Sequence, residues 1–209
     1  MNPENRKRAT ETILKENGIP FIDWLPLTES EDDVVPREII EIGKRIICLF
    51  CLTGTAFEEG ETGFIDYLKK HNLWDSLSRE EKTYLSNPTY GNQAQINATW
   101  RIEALFFLLW AVGIISELPF PPQEANVSEF IDSLPSSGEN PYIFIKSLEL
   151  RPIPEIMDAS DLIYRLHWAS KQQDCPSSID GGVVREWHHA VNWLTNYDGE
   201  KWDWVATDT

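Results

Sequence analysis

Residues 93–116 read QAQINATWRIEALFFLLWAVGIIS, and this stretch decides the fold. From Trp100 onward, apolar side chains occupy nearly every helical face, so a helix here has almost no side to give to water. Such a helix belongs at the centre of a helical protein, with other helices packed around it. Two charges interrupt it. At 100° per residue, Arg101 falls among Leu105, Leu108 and Val112, and Glu103 among Phe106, Phe107 and Trp110. An unpartnered buried charge costs several kcal/mol. Both residues therefore call for pairing or a route to solvent, and the sharper alternative is a functional carboxylate whose pKa burial raises.

Outward from this centre, the chain reads as helices separated by Pro- and Gly-rich breaks. Residues 6–17 form an amphipathic helix ended by Gly18 and Pro20, and FIDWLPLTESEDDVV (21–35) follows as an irregular acidic linker. Pro36 occupies the position favoured at a helix start, ahead of REIIEIGKRIICLFCLTG. There Ile39, Gly43, Ile46 and Phe50 share one stripe, Glu38, Glu41, Lys44 and Arg45 lie off it, and Gly54 is the expected stop. TGFIDYLKKHNLW (62–74) is helical, and Ser78 to Glu81 has capping-box spacing for a short helix. After the central helix come a short helix in VSEFIDSL (127–134) and PYIFIKSLEL (141–150), which fits strand or helix. IPEIMDASDLIYRLHWASKQ (153–172) is a helix, and Asp180 is placed to cap the last one, GVVREWHHAVNWLTNY (182–197). The expected architecture is mainly all-α, a compact multi-helix globular domain with a central buried helix and an irregular C-terminal tail. It spans 1–209 as a single domain, with residues 1–35 an N-terminal helix and acidic linker packing on the helical body.

At 209 residues, such a domain buries roughly 70% of its unfolded surface and needs no metal or disulfide staple. Three cysteines are an odd count for a disulfide framework. The formal charge of −16 repels phosphates and anionic lipid, so neither nucleic acid nor membrane is an expected partner. The basic RKR at Arg6 to Arg8 is too small to reverse that. No positively charged segment followed by an apolar run opens the chain, and the run from Ala104 to Ile115 is too short to span a bilayer. The expected compartment is the cytoplasm. Most of the nine tryptophans are expected to be core or interface anchors.

Chemistry-bearing residues collect in three places. Cys48 and Cys51 form CLFC, but no second such pair exists and the surrounding helix is apolar, so they read as buried thiols. In the 153–172 helix, Asp158, Asp161, Arg165 and Trp168 line one stripe; Asp161 and Arg165 are an i,i+4 pair in the favourable order, and His167 points elsewhere. In the last helix, Val183, Trp187, Ala190, Leu194 and Tyr197 make one face. The opposite stripe is Arg185, His188, His189, Asn192 and Asn196, residue types that build directed hydrogen bonds. Three readings compete there. One is a buried polar seam in which Arg101, Glu103, Asp161, Arg165, His188 and Asn192 converge where three helices meet. Another is a ligand or catalytic pocket. The third is a metal site from His167 with His188 or His189 and a carboxylate; the absence of HExxH-type spacing disfavours it, and adjacent histidines diverge by about 100° on a helix. No metal and no cofactor are expected. A G-x-S-x-G elbow, a P-loop and a dinucleotide fingerprint are all missing from the sequence, which disfavours acyl-serine, nucleotide-triphosphate and Rossmann chemistry.

Four segments together resemble the bacterial domain of unknown function 4272 family: WRIEALFFLLWAVG, IMDASDLIYRLHWA, VVREWHHAVNWLTNY and the closing WDWVATDT. The resemblance runs from about Arg6 to Thr209. It departs at Trp187, where the family pattern has Arg, and at Trp204, where it has Asp, making those positions more apolar. It implies a compact, mostly helical bacterial protein and brings no activity with it. Two functions remain in view. The first is a non-enzymatic interaction protein of the immunity or antitoxin kind, its acidity matched to a basic protein partner. The alternative is a hydrolase or small-ligand-binding protein, with His188 or His189 working against Asp161 or Glu103 as acid and base.

Overall fold

The computed structural model describes residues 2–58 and 63–209. Among them the protein is all-helical: eight α-helices, five short 3-10 turns and no strand. The helices are α1 (Pro3–Glu16), α2 (Ile39–Phe57), α3 (Gly63–Lys70), α4 (Arg79–Ser86), α5 (Gln93–Ala111), α6 (Pro141–Ser147), α7 (Ile153–Ala169) and α8 (Gly181–Leu194). Thr62, where the sequence reading opens α3, lies outside the described residues.

Helix α5 is central, as its composition demands. Every residue from Glu103 to Ala111 is buried. It packs against α2 on one side and α8 on the other; α8 in turn meets α7, and α7 meets α1, while α3 and α6 close over α2. Five of the helices, α1, α4, α5, α6 and α8, begin where a side chain accepts one of their first N–H groups. Ser78 and Glu81 form the reciprocal capping box of α4, and Asp180 accepts the N–H groups of Gly182 and Val183 at the start of α8. The segment left open between strand and helix is α6, begun by Pro141 behind an Asn140 cap. VSEFIDSL is two 3-10 turns, Val127–Glu129 and Ile131–Ser133, in place of the expected helix.

Three helix boundaries differ from the sequence reading for a reason that the local structure shows. Helix α5 stops at Ala111, five residues before Ser116. Gly113 takes φ +77 and the chain reverses, with Gly113 N–H donating to Trp110 O and Ile114 N–H to Leu109 O. That is the left-handed Schellman ending, which glycine allows at least cost. Gly54, by contrast, does not stop α2. A Cβ there would stand 2.5 Å from the Phe64 ring, so the missing side chain lets α3 pack directly onto the α2 backbone. At its other end, α2 begins at Ile39, three residues after Pro36, because Glu38 is extended and the Arg37 N–H is given to Leu194 O at the end of α8.

The C-terminal tail is irregular apart from a 3-10 turn at Trp202–Trp204. Trp202 is its buried anchor, lying edge-on against His189 and Trp193. No described helix is long and apolar enough to cross a membrane.

Candidate functional site

The expected convergence of polar residues does not occur. The structure divides them among four places, each with its own set of partners.

The first place is the α7 face turned toward the N-terminal segment. Asp161 and Arg165 are fully buried and joined twice, Arg165 Nε to Asp161 Oδ2 at 3.0 Å and Nη2 to Oδ1 at 2.9 Å. The pair then reaches the acidic linker: Arg165 Nη2 donates to Pro26 O at 3.1 Å, and Asp161 Oδ1 accepts from Thr28 Oγ1 at 3.3 Å. Two basic residues of α1 grip the same linker. Arg6, only 1% exposed, bonds Asp158 at 2.9 Å and Glu31 at 2.8 Å, and approaches Glu29 O. Lys7 donates to the carbonyls of Asp23 and Leu25. A segment with no regular structure is thus tied through its backbone at Asp23, Leu25, Pro26 and Glu29. What it shows to solvent is Trp24, 75% exposed, with Leu27 and Val35, and the acidic side chains of Asp23, Glu29, Asp32 and Asp33.

The second place is the α7–α8 contact. His167 and His188 meet with their Nδ1 atoms 2.9 Å apart, so one donates a proton to the other's lone pair and both rings are neutral. Burial pushes His167 down to about 4 and His188 to about 3, and nearby cations act in the same direction. Among the described residues no group of three or more His, Cys, Asp or Glu could hold a metal ion.

The third place joins α5, α8, α2, α4 and the tail. Arg101 Nη1 pairs with Glu186 at 2.8 Å, and Arg185, more than half exposed, adds a second contact to that carboxylate at 3.2 Å. Glu186 is itself buried. His189 packs against Trp202 with ring centroids 4.5 Å apart, and burial followed by the Arg101 charge drives it down to about 3. Asn192 Nδ2 donates to Ala206 O at 2.9 Å, holding the tail to α8. The neighbouring Arg45 and Glu81 form a buried pair at 2.7 Å, with the Arg45 guanidinium over the Trp202 ring. Sequence reasoning placed Arg45 off the apolar stripe and overlooked its burial. Its one signal was Glu81, already assigned to a capping box and available to a second partner.

The fourth place is Glu103, 2% exposed. Its Oε1 accepts the Ala125 N–H at 2.9 Å, fastening the loop after α5, while Oε2 has no partner among the described residues. Burial raises it to about 7, with Glu124, Asp180 and Glu186 adding to the effect and the Ala125 bond opposing it. Among the described residues, none of the four histidine–carboxylate pairs expected of a hydrolase forms a hydrogen bond. Cys48 and Cys51 are buried free thiols, Cys48 pushed up to about 12 by desolvation.

Among the described residues the fold is all-helical, and its buried charges join helix to helix and hold loops to the helical body. The family model described as "Domain of unknown function (DUF4272)" matches residues 6–205, and the chain belongs to that family. Neither a curated protein nor a solved structure matches it.

Proposed function

We propose that the protein is a non-enzymatic interaction protein, and that its tied acidic linker docks a basic protein partner in the manner of an immunity or antitoxin protein. The observation carrying this reading is Trp24, left three-quarters exposed on a segment that four buried or half-buried side chains hold in place. Tryptophan is the residue type most enriched among interface anchors. A loop already ordered loses less entropy on docking than a flexible one. Asp23, Glu29, Asp32 and Asp33 surround the indole along the chain, and a net charge of −16 steers a basic surface toward it.

Affinity purification of the tagged protein from its native cells, with mass spectrometry of what it retains, tests the proposal. The expected partner is rich in Lys and Arg. Its affinity should fall with rising salt and weaken roughly thirtyfold or more in Trp24→Ala. An acidic partner, a partner indifferent to Trp24, or no partner at all overturns the reading.

A further inference from the structure

We propose a second site, distinct from the docking linker, which takes a small zwitterion carrying an aromatic arm, the chemistry of a free aromatic amino acid. It is a cleft between α4, α5, α8 and the C-terminal tail, with a first lobe of ≈ 410 Å³. A second lobe of ≈ 620 Å³ adjoins it, sharing Glu80, Tyr84, Ala94 and Asp203. These volumes suit a small molecule and exclude a folded partner.

The lobes differ in what they offer. On one wall of the first, Arg101 and Arg185 both lean on the single carboxylate of Glu186. Two guanidiniums against one carboxylate leave a unit of positive charge. Each arginine commits one nitrogen to Glu186, and both stay partly exposed. That wall suits a carboxylate, which accepts paired N–H donors. The acidic residues of the cleft are Glu80, Glu81 and Asp203 besides Glu186. Glu81 is neutralised by Arg45, whereas Glu80 and Asp203 form no ion pair among the described residues, and Asp203 Oδ2 is tied only to the Glu80 N–H. That side suits an ammonium.

His189 is the independent mark of a ligand. It lines the cleft at 9% exposure, and its Nε2 has no hydrogen-bond partner among the described residues. The ring is neutral and its other edge faces the Trp202 backbone, so Nε2 presents a lone pair that an N–H donor would satisfy. A buried acceptor without a donor is costly in a finished fold, and it is the kind of vacancy a ligand relieves. The second lobe supplies the apolar surface. Trp204 stands 68% exposed beside Tyr84, and neither charged wall gives that indole anything to bind. An aromatic ring stacked there connects the three requirements in one molecule.

Isothermal titration with L-phenylalanine and with its two halves, phenylacetate and phenethylamine, tests the assignment. L-phenylalanine should bind at one saturable site, each half about tenfold or more weaker for want of one charged contact. Arg185→Ala should weaken phenylalanine and phenylacetate but not phenethylamine. Trp204→Ala should weaken all three, and both variants should melt like the parent because both side chains are mostly exposed. No saturable binding by any of the three overturns the proposal, and so does either half binding as tightly as the whole. Trp24→Ala should leave phenylalanine binding unchanged, which separates a failure here from a failure of the docking reading.

Discussion

Helices α7 and α8 pack against each other, and both bury polar side chains, but they partner them by different routes. Helix α7 holds donor and acceptor one turn apart in Asp161 and Arg165, so this pair is complete as soon as the helix forms. Helix α8 reaches outward. Glu186 meets Arg101 of α5, His188 meets His167 of α7, and Asn192 meets the tail at Ala206. Glu186, His188 and Asn192 find these partners only when three other segments have arrived. Helix α7 therefore has spare hydrogen-bonding capacity to hold a loop, while α8 is the element that fixes the register of its neighbours.

The largest expected effect breaks the α7 pair. Asp161→Ala leaves a guanidinium enclosed at 0% exposure without its counter-charge, which costs about 3–5 kcal/mol. Arg165→Ala strands the carboxylate in the same way, and the double mutant should lose less than the sum of the two. Urea unfolding of the three variants measures this. Both single mutants should also open the 23–31 segment to protease, since Pro26 and Thr28 lose their attachments. Variants that unfold like the parent would show that α7 does not depend on its own pair.

The same contrast separates what could be read in the sequence from what could not. The apolar run of α5 and the acid-first spacing of Asp161 and Arg165 are local patterns, and both carried through to the structure. The partners of α8 lie on other segments, at Arg101, His167, Trp202 and Ala206, which no local pattern announces. A helical wheel sorts residues by angle and is silent about what stands opposite, so Arg185, His188, His189 and Asn192 looked like one stripe facing one site. They serve separate contacts. The RKR stretch was legible only as charge, yet Arg6 and Lys7 act as tethers for the linker because α1 packs where that linker passes. Trp24 could be recognised as an anchor but not as an exposed one, because nothing local distinguishes the two.

Acid sharpens the comparison from the α8 side. His167, His188 and His189 are held at about 4, 3 and 3, below the 6.5 of a free histidine. The folded state then binds fewer protons than the unfolded one between those limits. The stability of the neutral rings is fully present above pH 6.5 and is lost as pH falls through the folded values, at up to about 1.4 kcal/mol per pH unit for each ring. Urea midpoints should therefore drop steadily from pH 6.5 toward 4. His188→Asn should flatten that fall by about one ring's share, whereas an unchanged slope would mean that α8 does not hold its histidine neutral.

Glu103 gives the smallest effect and the opposite sign. It stands between the two helices in kind: buried like the α7 pair, yet partnered among the described residues only by the distant Ala125 N–H. Its folded pKa, raised from 4.5 to about 7, means that the folded state holds a proton the unfolded state has already released. Its contribution is fully present below pH 4.5 and is lost as pH rises through 7, so above that the native protein carries a desolvated carboxylate at a cost. Glu103→Gln keeps an oxygen for the Ala125 N–H and removes the charge. It should therefore stabilise the protein by about 1–3 kcal/mol at pH 8 and change little at pH 4, where the parent side chain is already neutral. Urea unfolding at the two pH values decides this. A gain at both would assign the benefit to packing rather than to charge, and a loss at pH 8 would mean that the ionised carboxylate has a partner worth more than its desolvation.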